Sequence, residues 1–467
     1  MITIRYDRGT LVLEGVRDPL PPGFVWDDRI HRPRGPALLY RDVVLHWHRN
    51  RIPFRDEARD YGVLEQMVHR TDRRPRDYQR AALEAWRGAG RFGTVVLPTG
   101  TGKSFVAELC IADARRATLV VAPTIDLVNQ WAGLMEKAFG AAPAPDGAGG
   151  LTVGVLGGGQ HRLGEITIST YDSAYLHMDR YGNRFGLVVF DEVHHLPSAA
   201  YSQCAEMALA PFRLGLSATP ERPDGAHSDI DRLVGPVVYQ RGIKELSGAY
   251  LADYEIERIE VNLSMHEHEA YLEARSTYRG FVASRGISMR NPQGWQRFLR
   301  EAARSRAGRA ALRAHREYRR ILHSASAKID VLEDILARHP QGRVIVFTND
   351  NATVYRISRE FLVPCITHQT DGRERKAILE GFAEGRYRVV VTSRVLNEGV
   401  DLPAADVGVV LSGTGSVREH VQRLGRILRP GKDADGNDKR AVLYEVLTRD
   451  TTEEFTSERR RAHDAYQ

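Results

Sequence analysis

A glycine-rich loop in the segment 95–109, VVLPTGTGKSFVAEL, is the first feature that could do chemistry. Glycines let the backbone curl so that several N–H groups point at one phosphate, and the dipole of a following helix adds partial positive charge. Lys103 can reach the β- and γ-phosphates of a nucleotide, and Ser104 can coordinate Mg²⁺. The spacing predicts a Walker A loop that binds ATP with Mg²⁺. Its predicted nucleotide-binding residues are Pro98, Thr99, Gly100, Thr101, Gly102, Lys103 and Ser104.

The loop departs from the general G-x-x-x-x-G-K-[ST] pattern at its start, where it has Leu97 and Pro98 and no glycine. A plain glycine-rich turn before an ordinary helix is the alternative interpretation. Only seven of the 66 basic residues are lysines, so a Lys at position 103 favours phosphate binding.

An acidic pair follows a short apolar run in LVVFDEVHHL, residues 187–196. This run reads as a buried strand, and ligands of open α/β sheets sit at the carboxyl ends of the strands. Asp191 can hold Mg²⁺ through water, and Glu192 can orient and deprotonate an attacking water. His194 completes a DExH box and suggests a link between nucleotide state and the contact between lobes of the chain. A metal site at His194–His195 is the disfavoured alternative, because adjacent histidines rarely ligate one metal.

A basic helix is predicted in HVQRLGRILRP, residues 420–430. Gln422, Arg426 and Arg429 are spaced by four and three residues, so they share one helix face. Arginines presented in this way can stabilise the charge that develops on a γ-phosphate. A solvated basic surface is the alternative if the helix is considered alone.

Three further segments give weaker signals. Ser217–Thr219 and the run 393–403 each follow a predicted buried strand. Upstream of the glycine-rich loop, Arg76 and Gln79 lie in the run RDYQ, where a glutamine amide could bind the edge of an adenine.

These motifs lie on segments in which short apolar runs alternate with helical patterns, which predicts parallel sheets covered by helices. The predicted strands are 2–6, 10–14, 94–97, 118–122, 166–169, 187–190, 344–348, 389–392 and 407–411. The α/β chain is therefore expected to have four parts. They are a small N-terminal α/β domain (1–70), a first lobe (71–248), a helical insertion with a basic face (249–325) and a second lobe (326–467).

Composition limits the classes of protein that are compatible with the chain. Its 467 residues are 42% hydrophobic and 27% charged, as in ordinary globular proteins. No apolar stretch approaches the roughly 20 residues needed to span a bilayer, and the N-terminus lacks the apolar core of a signal peptide. A cytoplasmic location without a membrane partner is expected. The three cysteines form no CxxC pair, which argues against a zinc site. The net charge of +6 indicates binding of a polyanion only where the positive charge lines a groove.

Together the motifs resemble those of superfamily 2 helicases, and more narrowly the short archaeal-type XPB DNA helicases. They cover about 75–430, with looser resemblance in 9–15 and 39–44 to the damage-recognition domain of that family. In chain order the motifs are RDYQ (76–79), PTGTGKS (98–104), APTIDLVNQW (122–131), STYDSA (169–174), DEVHH (191–195), SAT (217–219), VIVFTND (344–350), THQT (367–370), SRVLNEGVDLP (393–403) and QRLGRILR (422–429).

The resemblance implies two RecA-like lobes with ATP between them, a thumb-like helical insertion, and 3′-to-5′ movement on single-stranded, forked or damaged DNA. It implies that Gln79 binds adenine, and that Arg426 and Arg429 are arginine fingers. Arg76, Gly399 and Asp401 are expected to line the nucleotide site. The residues expected near DNA are Thr124, Thr170, Arg222, Asp224, Thr370 and Thr392.

One departure from the family pattern bears on strand separation. The family has an Arg-Glu-Asp motif shortly after the Ser-Ala-Thr box, whereas this chain has Arg222-Pro223-Asp224. Proline removes the acidic charge and a backbone N–H, and it fixes φ. Weaker unwinding than the ATPase activity would suggest is therefore expected.

The expected function is an ATP-dependent 3′-to-5′ DNA helicase or translocase that acts in nucleotide-excision-like DNA repair, with a partner nuclease implied by the resemblance. A translocase that remodels duplexes with little unwinding is one alternative, and an RNA helicase is another. A non-enzymatic, ATP-gated scaffold is the least favoured alternative, because the Walker A loop, the acidic pair and the arginine helix are all present in the sequence.

Overall fold

A computed structural model of the 467-residue chain gives its fold. It describes residues 1–16, 19–140, 150–219, 225, 228–248, 250, 253–289, 292–393, 405–412 and 440–454. The chain divides into two compact units. The first contains Met1–Pro98 and Gly102–Arg241, and the second contains Thr99–Thr101 and Gly242–Gln467. Within the described ranges, no helix is both long and apolar enough to cross a membrane.

The first unit begins with a small five-stranded sheet in the order β3-β4-β2-β1-β5. Its elements are β1 (Ile2–Asp7), β2 (Thr10–Glu14), β3 (Val25–Asp27), β4 (Arg32–Pro36), α1 (Tyr40–Arg49) and β5 (Phe54–Glu57). Strand β1 pairs antiparallel with β2 and parallel with β5. Trp47 and Tyr40 on α1 pack on Ile4 and Leu13 of the sheet, which gives this domain its own apolar core. These N-terminal strands and α1 therefore form a small α/β fold around a core of their own.

The larger sheet of this unit has eight strands in the order β13-β6-β12-β11-β7-β10-β8-β9. The strands are β6 (Phe92–Val96), β7 (Thr118–Ala122), β8 (Val153–Gly157), β9 (Gln160–Arg162), β10 (Ile166–Thr170), β11 (Leu187–Phe190), β12 (Phe212–Ser217) and β13 (Val237–Gln240). Every pairing is parallel except β8 with β9. The predicted parallel sheet is confirmed, because strands buried on both faces read as short continuous apolar runs.

Helices connect these strands and cover the sheet. They are α2 (Asp77–Gly88), α3 (Lys103–Ala114), α4 (Ile125–Phe139), α5 (Tyr171–Tyr181), α6 (Tyr201–Glu206) and α7 (Ser228–Leu233). Thr124 and Thr170 are the N-cap residues of α4 and α5, where each hydroxyl accepts a backbone N–H of the first turn. The two helices therefore begin at the carboxyl ends of the neighbouring strands β7 and β10.

The small N-terminal domain packs on this sheet within the first unit. The Tyr6 hydroxyl donates to the Met178 carbonyl at 2.7 Å and lies 3.1 Å from the Met207 carbonyl. Leu209 belongs to the apolar cluster of the N-terminal sheet. The N-terminal sheet thus shares hydrogen bonds and apolar contacts with α5 and with the segment that follows α6.

The second unit is built on a six-stranded, fully parallel sheet in the order β14-β19-β18-β15-β17-β16. Its strands are β14 (Asp253–Val261), β15 (Val344–Phe347), β16 (Cys365–Ile366), β17 (Val389–Thr392), β18 (Val407–Val410) and β19 (Arg440–Thr448). Its helices are α8 (Ile243–Leu246), α9 (Met265–Ser284), α10 (Pro292–Arg304), α11 (Arg306–His323), α12 (Ser326–Arg338), α13 (Asn351–Phe361) and α14 (Gly372–Ala383).

Helices α9, α10 and α11 form the helical insertion that the sequence predicts, and their aromatic and small side chains make a separate core around Phe281 and Phe298. The expected insertion starts at 249, and its first helix, α9, starts at Met265. Residues 253–261 instead form β14, which pairs with β19 over its whole length. The sequence pattern misses this edge strand because its alternation is weak, with only Val261 of the strand buried.

Candidate nucleotide-binding site

The glycine-rich loop connects β6 to α3, as its sequence predicts. Gly100 and Gly102 have φ angles of +85° and +82°, a region that residues with a Cβ rarely adopt. Gly102 is the N-cap of α3 and provides no side chain to cap the first turn. The Lys103 ammonium donates to the carbonyl of Leu97 at 3.2 Å, so its side chain lies back along the loop. The first turn of α3 is therefore arranged to accept an anion.

Gln79 lies directly beside this loop and is buried. Its Oε1 accepts the backbone N–H of Arg76 at 3.0 Å at the start of α2. A Cβ atom added at Gly102 would lie only 2.9 Å from its Nε2. The structure thus brings the amide of Gln79 and the glycine-rich loop into contact. Adenine binding by Gln79 stays a prediction.

The acidic pair lies at the carboxyl end of β11, and β11 and β6 flank β12 in the sheet. Asp191 is buried, and its Oδ2 accepts the indole N–H of Trp131 at 2.8 Å. Burial raises the pKa of Asp191 above its usual range, while the Trp131 hydrogen bond and the positive charge of Lys103 oppose that rise. Lys103 and Asp191 therefore act on each other electrostatically, as a shared phosphate and metal site requires.

Glu192 has a left-handed backbone, with φ at +46°, which is unusual for a residue with a side chain. Its Oε2 lies 3.4 Å from Nδ1 of the buried His194, and that same nitrogen lies 3.4 Å from the Ser217 hydroxyl. The Ser217 hydroxyl also accepts the backbone N–H of Thr219 at 3.1 Å. The DExH box and the Ser-Ala-Thr segment are thus joined by one polar chain.

The histidine pair of the DExH box packs rather than surrounding a cavity for a cation. The ring centroids of His194 and His195 are 4.4 Å apart, and His195 lies beside the Tyr171 ring. Within the residues that the structure describes, no group of three or more His, Cys, Asp or Glu side chains could hold a metal ion.

The four threonines expected near DNA differ in their surroundings. Thr124 and Thr170 are partly exposed N-cap residues on neighbouring strand ends. The Thr370 hydroxyl accepts the backbone N–H of Thr367 at 2.9 Å and is partly exposed. Thr392 is fully buried, and its hydroxyl donates to the Ile366 carbonyl at 3.1 Å. In this conformation Thr392 offers no surface to a nucleic acid.

Two features near the site were not found from the sequence. Trp131 stands in a motif that was recognised only by its resemblance, and nothing local shows that its indole reaches Asp191. Glu108 is a buried carboxylate on α3, and the signal that could have found it is an acidic residue inside an apolar helix. Several predicted site residues lie outside the described residues: Arg222, Asp224, Gly399, Asp401, Gln422, Arg426 and Arg429.

Three protein families match parts of the chain. Residues 4–58 match the xeroderma pigmentosum group B helicase damage recognition domain, and 72–222 match the type III restriction enzyme, res subunit. Residues 327–431 match the helicase conserved C-terminal domain. These matches cover the N-terminal domain and both α/β lobes.

Among curated proteins, the chain is 40% identical over 464 residues to the DNA 3′-5′ translocase XPB2 of Sulfurisphaera tokodaii, with 99% of this chain and 100% of that protein covered. It is 30% identical over 408 residues to the DNA 3′-5′ helicase XPB of Mycobacterium tuberculosis, with 84% of this chain and 64% of that longer protein covered. The crystal structure of the Pyrococcus furiosus Hef helicase domain matches with a TM-score of 0.54 and 20% identity, covering 82% of this chain and 97% of that one. At this identity the structural match shows the fold alone.

Proposed function

This chain belongs to the XPB family of superfamily 2 DNA helicases, and we propose that it is an ATP-dependent 3′-to-5′ DNA helicase or translocase that acts in DNA repair. The observation that carries the proposal is that Lys103, after β6, and the buried Asp191, after β11, both follow the carboxyl ends of strands in one parallel sheet. A phosphate-binding lysine and a metal-binding carboxylate must share one site for phosphoryl transfer.

The residues of the site fit ATP with Mg²⁺. Gly100 and Gly102 take φ angles of +85° and +82°, which let the backbone of the loop curl around a phosphate. The Ser104 hydroxyl and the Asp191 carboxylate are hard oxygen donors, which Mg²⁺ prefers. When bound, MgATP supplies the phosphoanhydride bond whose hydrolysis releases the free energy for movement.

Each residue of the site would have its own role in binding or hydrolysis. Lys103 holds the β- and γ-phosphates, and Gln79 holds the adenine beside the loop. Glu192 orients the attacking water and accepts its proton at the carboxylate. Arg426 and Arg429 keep the role that the family resemblance implies, which is to stabilise charge on the γ-phosphate. Gln422 is predicted to share their helix face, and all three lie outside the described residues.

Steady-state ATPase turnover tests this function. Turnover is measured without nucleic acid and, at matched salt, with single-stranded DNA, forked DNA, lesion-bearing duplex DNA or RNA. The variant Lys103→Ala is the negative control. We expect DNA to stimulate turnover and the negative control to be inactive. Equal stimulation by RNA would favour the RNA helicase, and turnover that no nucleic acid stimulates would contradict the proposal.

A second candidate is a double-stranded DNA translocase with weak unwinding. The observation that favours it is Pro223, which stands where the family has an acidic residue and which lies outside the described residues. Triplex displacement and forked-duplex unwinding are compared per ATP hydrolysed in the natural chain and in Pro223→Glu. The translocase predicts efficient displacement, poor unwinding, and a gain of unwinding in the variant. If unwinding per ATP is the same in both proteins, Pro223 does not limit strand separation.

The partner nuclease and the cytoplasmic location stay predictions. A pull-down from cells that recovers no nuclease with the full chain would count against the partner.

A further inference from the structure

Glu108 is a buried acidic residue on the helix that begins at Lys103. Only 1% of its surface is exposed, and its neighbours on α3 are apolar. A carboxylate in such surroundings is costly unless it is paired and hydrogen-bonded. Its surroundings therefore have to supply positive charge.

Two side chains from one short segment, a histidine and an arginine, pair with it. Nε2 of His69 lies 2.7 Å from one carboxylate oxygen of Glu108, and the Arg73 guanidinium pairs with the other oxygen. Arg73 also lies over the Phe105 ring, 4.1 Å from its centroid. The His69 ring stacks on Phe139, with centroids 5.2 Å apart. Both partners of Glu108 are thus held by a second contact.

These partners lie on residues 59–76, the connector between the N-terminal sheet and α2. Backbone hydrogen bonds fix the connector along the first unit: Asp60 N–H to the Asn183 carbonyl at 2.9 Å, and Leu64 N–H to the Arg115 carbonyl at 2.9 Å. Farther along, Arg70 N–H donates to the Ala138 carbonyl at 2.8 Å. The connector is therefore held against the first unit, and it fixes the positions of both partners of Glu108.

The position of Glu108 on α3 relates this support to the nucleotide site. Residues four apart on a helix lie on the same face, one turn from each other, so Glu108 lies directly below Ser104. Phe105, on which Arg73 packs, follows Ser104 in the first turn. A shift of Glu108 would therefore move the turn that carries the predicted Mg²⁺ ligand.

We propose that Glu108, His69 and Arg73 form a positioning cluster that orients Ser104 for the metal ion bound with the nucleotide. The inference rests on the proposed nucleotide-binding function and adds positioning residues to it. Groups that hold a metal ligand without touching the metal change metal affinity about 10- to 100-fold when they are removed. The cluster also makes the connector part of the support of the nucleotide site.

The chain contains a matched control on the same helix. Asp113 lies at the opposite end of α3 and pairs with Arg87 at 2.6 Å and Arg91 at 2.9 Å, so it too has two basic side chains as partners. The side chains of Arg73 and Arg87 are 50% and 48% exposed. Arg87→Ala therefore removes an ion pair comparable to that of Arg73 with Glu108, but it leaves the helix turn that contains Ser104 undisturbed.

The test is equilibrium binding of a fluorescent ADP analogue to the full chain, with and without Mg²⁺, together with the melting temperature of each nucleotide-free protein. In Arg73→Ala we expect the Kd measured with Mg²⁺ to rise about tenfold, and the Kd measured without Mg²⁺ to change less than about twofold. Arg87→Ala is expected to leave both constants within about twofold, and Arg73→Lys, which keeps the charge, to recover part of the loss.

Equal effects of Arg73→Ala and Arg87→Ala, or equal losses with and without Mg²⁺, would overturn the positioning role. If Arg73→Ala melts well below Arg87→Ala, Arg73→Gln is titrated in its place with the same expectations. Failure of the natural chain to bind the analogue would instead contradict the proposed function, so the two failures are distinguishable.

Discussion

The indole N–H of Trp131 donates a 2.8 Å hydrogen bond to Oδ2 of Asp191. Trp131 lies on α4, after β7, and Asp191 follows β11, the strand that pairs with β7. Burial raises the pKa of Asp191, and this hydrogen bond and the charge of Lys103 oppose that rise, so both favour the ionised carboxylate. The ionised form is the one that could hold a cation.

Trp131→Phe is therefore predicted to impair ATP hydrolysis most at low pH. Loss of the indole N–H raises the pKa of Asp191 further, so the carboxylate takes up its proton at a higher pH and the acid limb of kcat/KM moves upward. Leaving a buried acceptor unpaired costs about 1–3 kcal/mol, which corresponds to about 5- to 150-fold in kcat/KM when the transition state bears that cost. A pH profile of ATPase activity checks this. Trp26→Phe, at a position 54% exposed, is the control, and an unmoved acid limb in Trp131→Phe would contradict the prediction.

Glu192→Gln is predicted to stop hydrolysis without weakening nucleotide binding. The amide keeps the shape of the side chain but cannot accept a proton from water, so kcat is expected to fall by about 100-fold or more. Single-turnover hydrolysis and ADP titration separate the two effects. Glu206→Gln, which removes the surface partner of Arg232, is the control. Wild-type turnover in Glu192→Gln would remove Glu192 from the catalytic role.

Ser217→Ala is predicted to uncouple movement from hydrolysis. The change breaks the polar chain that joins Glu192 and His194 to Thr219, while the groups predicted to bind phosphate and metal stay in place. We expect ATPase turnover within about threefold of the natural chain and triplex displacement per ATP reduced about fivefold or more. Ser228→Ala is the exposed control. A proportional loss of both activities would show that Ser217 serves hydrolysis itself.

Tyr6→Phe is predicted to loosen the N-terminal domain. The variant removes the 2.7 Å hydrogen bond to the Met178 carbonyl, so the free energy of unfolding of the first unit is expected to fall by about 1–2 kcal/mol. Urea denaturation measures the change, and Tyr387→Phe in the second unit is the control. Turnover without DNA is expected to stay the same. An unchanged unfolding midpoint would mean that the hydroxyl contributes nothing to the packing of the domain.

Much of the fold follows from short stretches of sequence. The glycine-rich loop, its preceding strand and the helix at Lys103 are contiguous, so their residue types predict the local backbone directly. The buried strands of both lobes were also predictable, because their apolar runs are continuous. Strand β14 was not, since its residues alternate weakly and its place depends on pairing with the distant β19.

The sequence by itself determined the motifs, their order and the chemistry that each residue type can perform. Only the tertiary structure decided that Trp131 reaches Asp191, that Glu108 rests on the connector, and that Thr392 is buried. The physical reason is the separation along the chain of the residues that interact. Loop and helix geometry depends on neighbours along the chain, whereas contacts between distant side chains depend on strand order and packing, which short-range patterns do not specify.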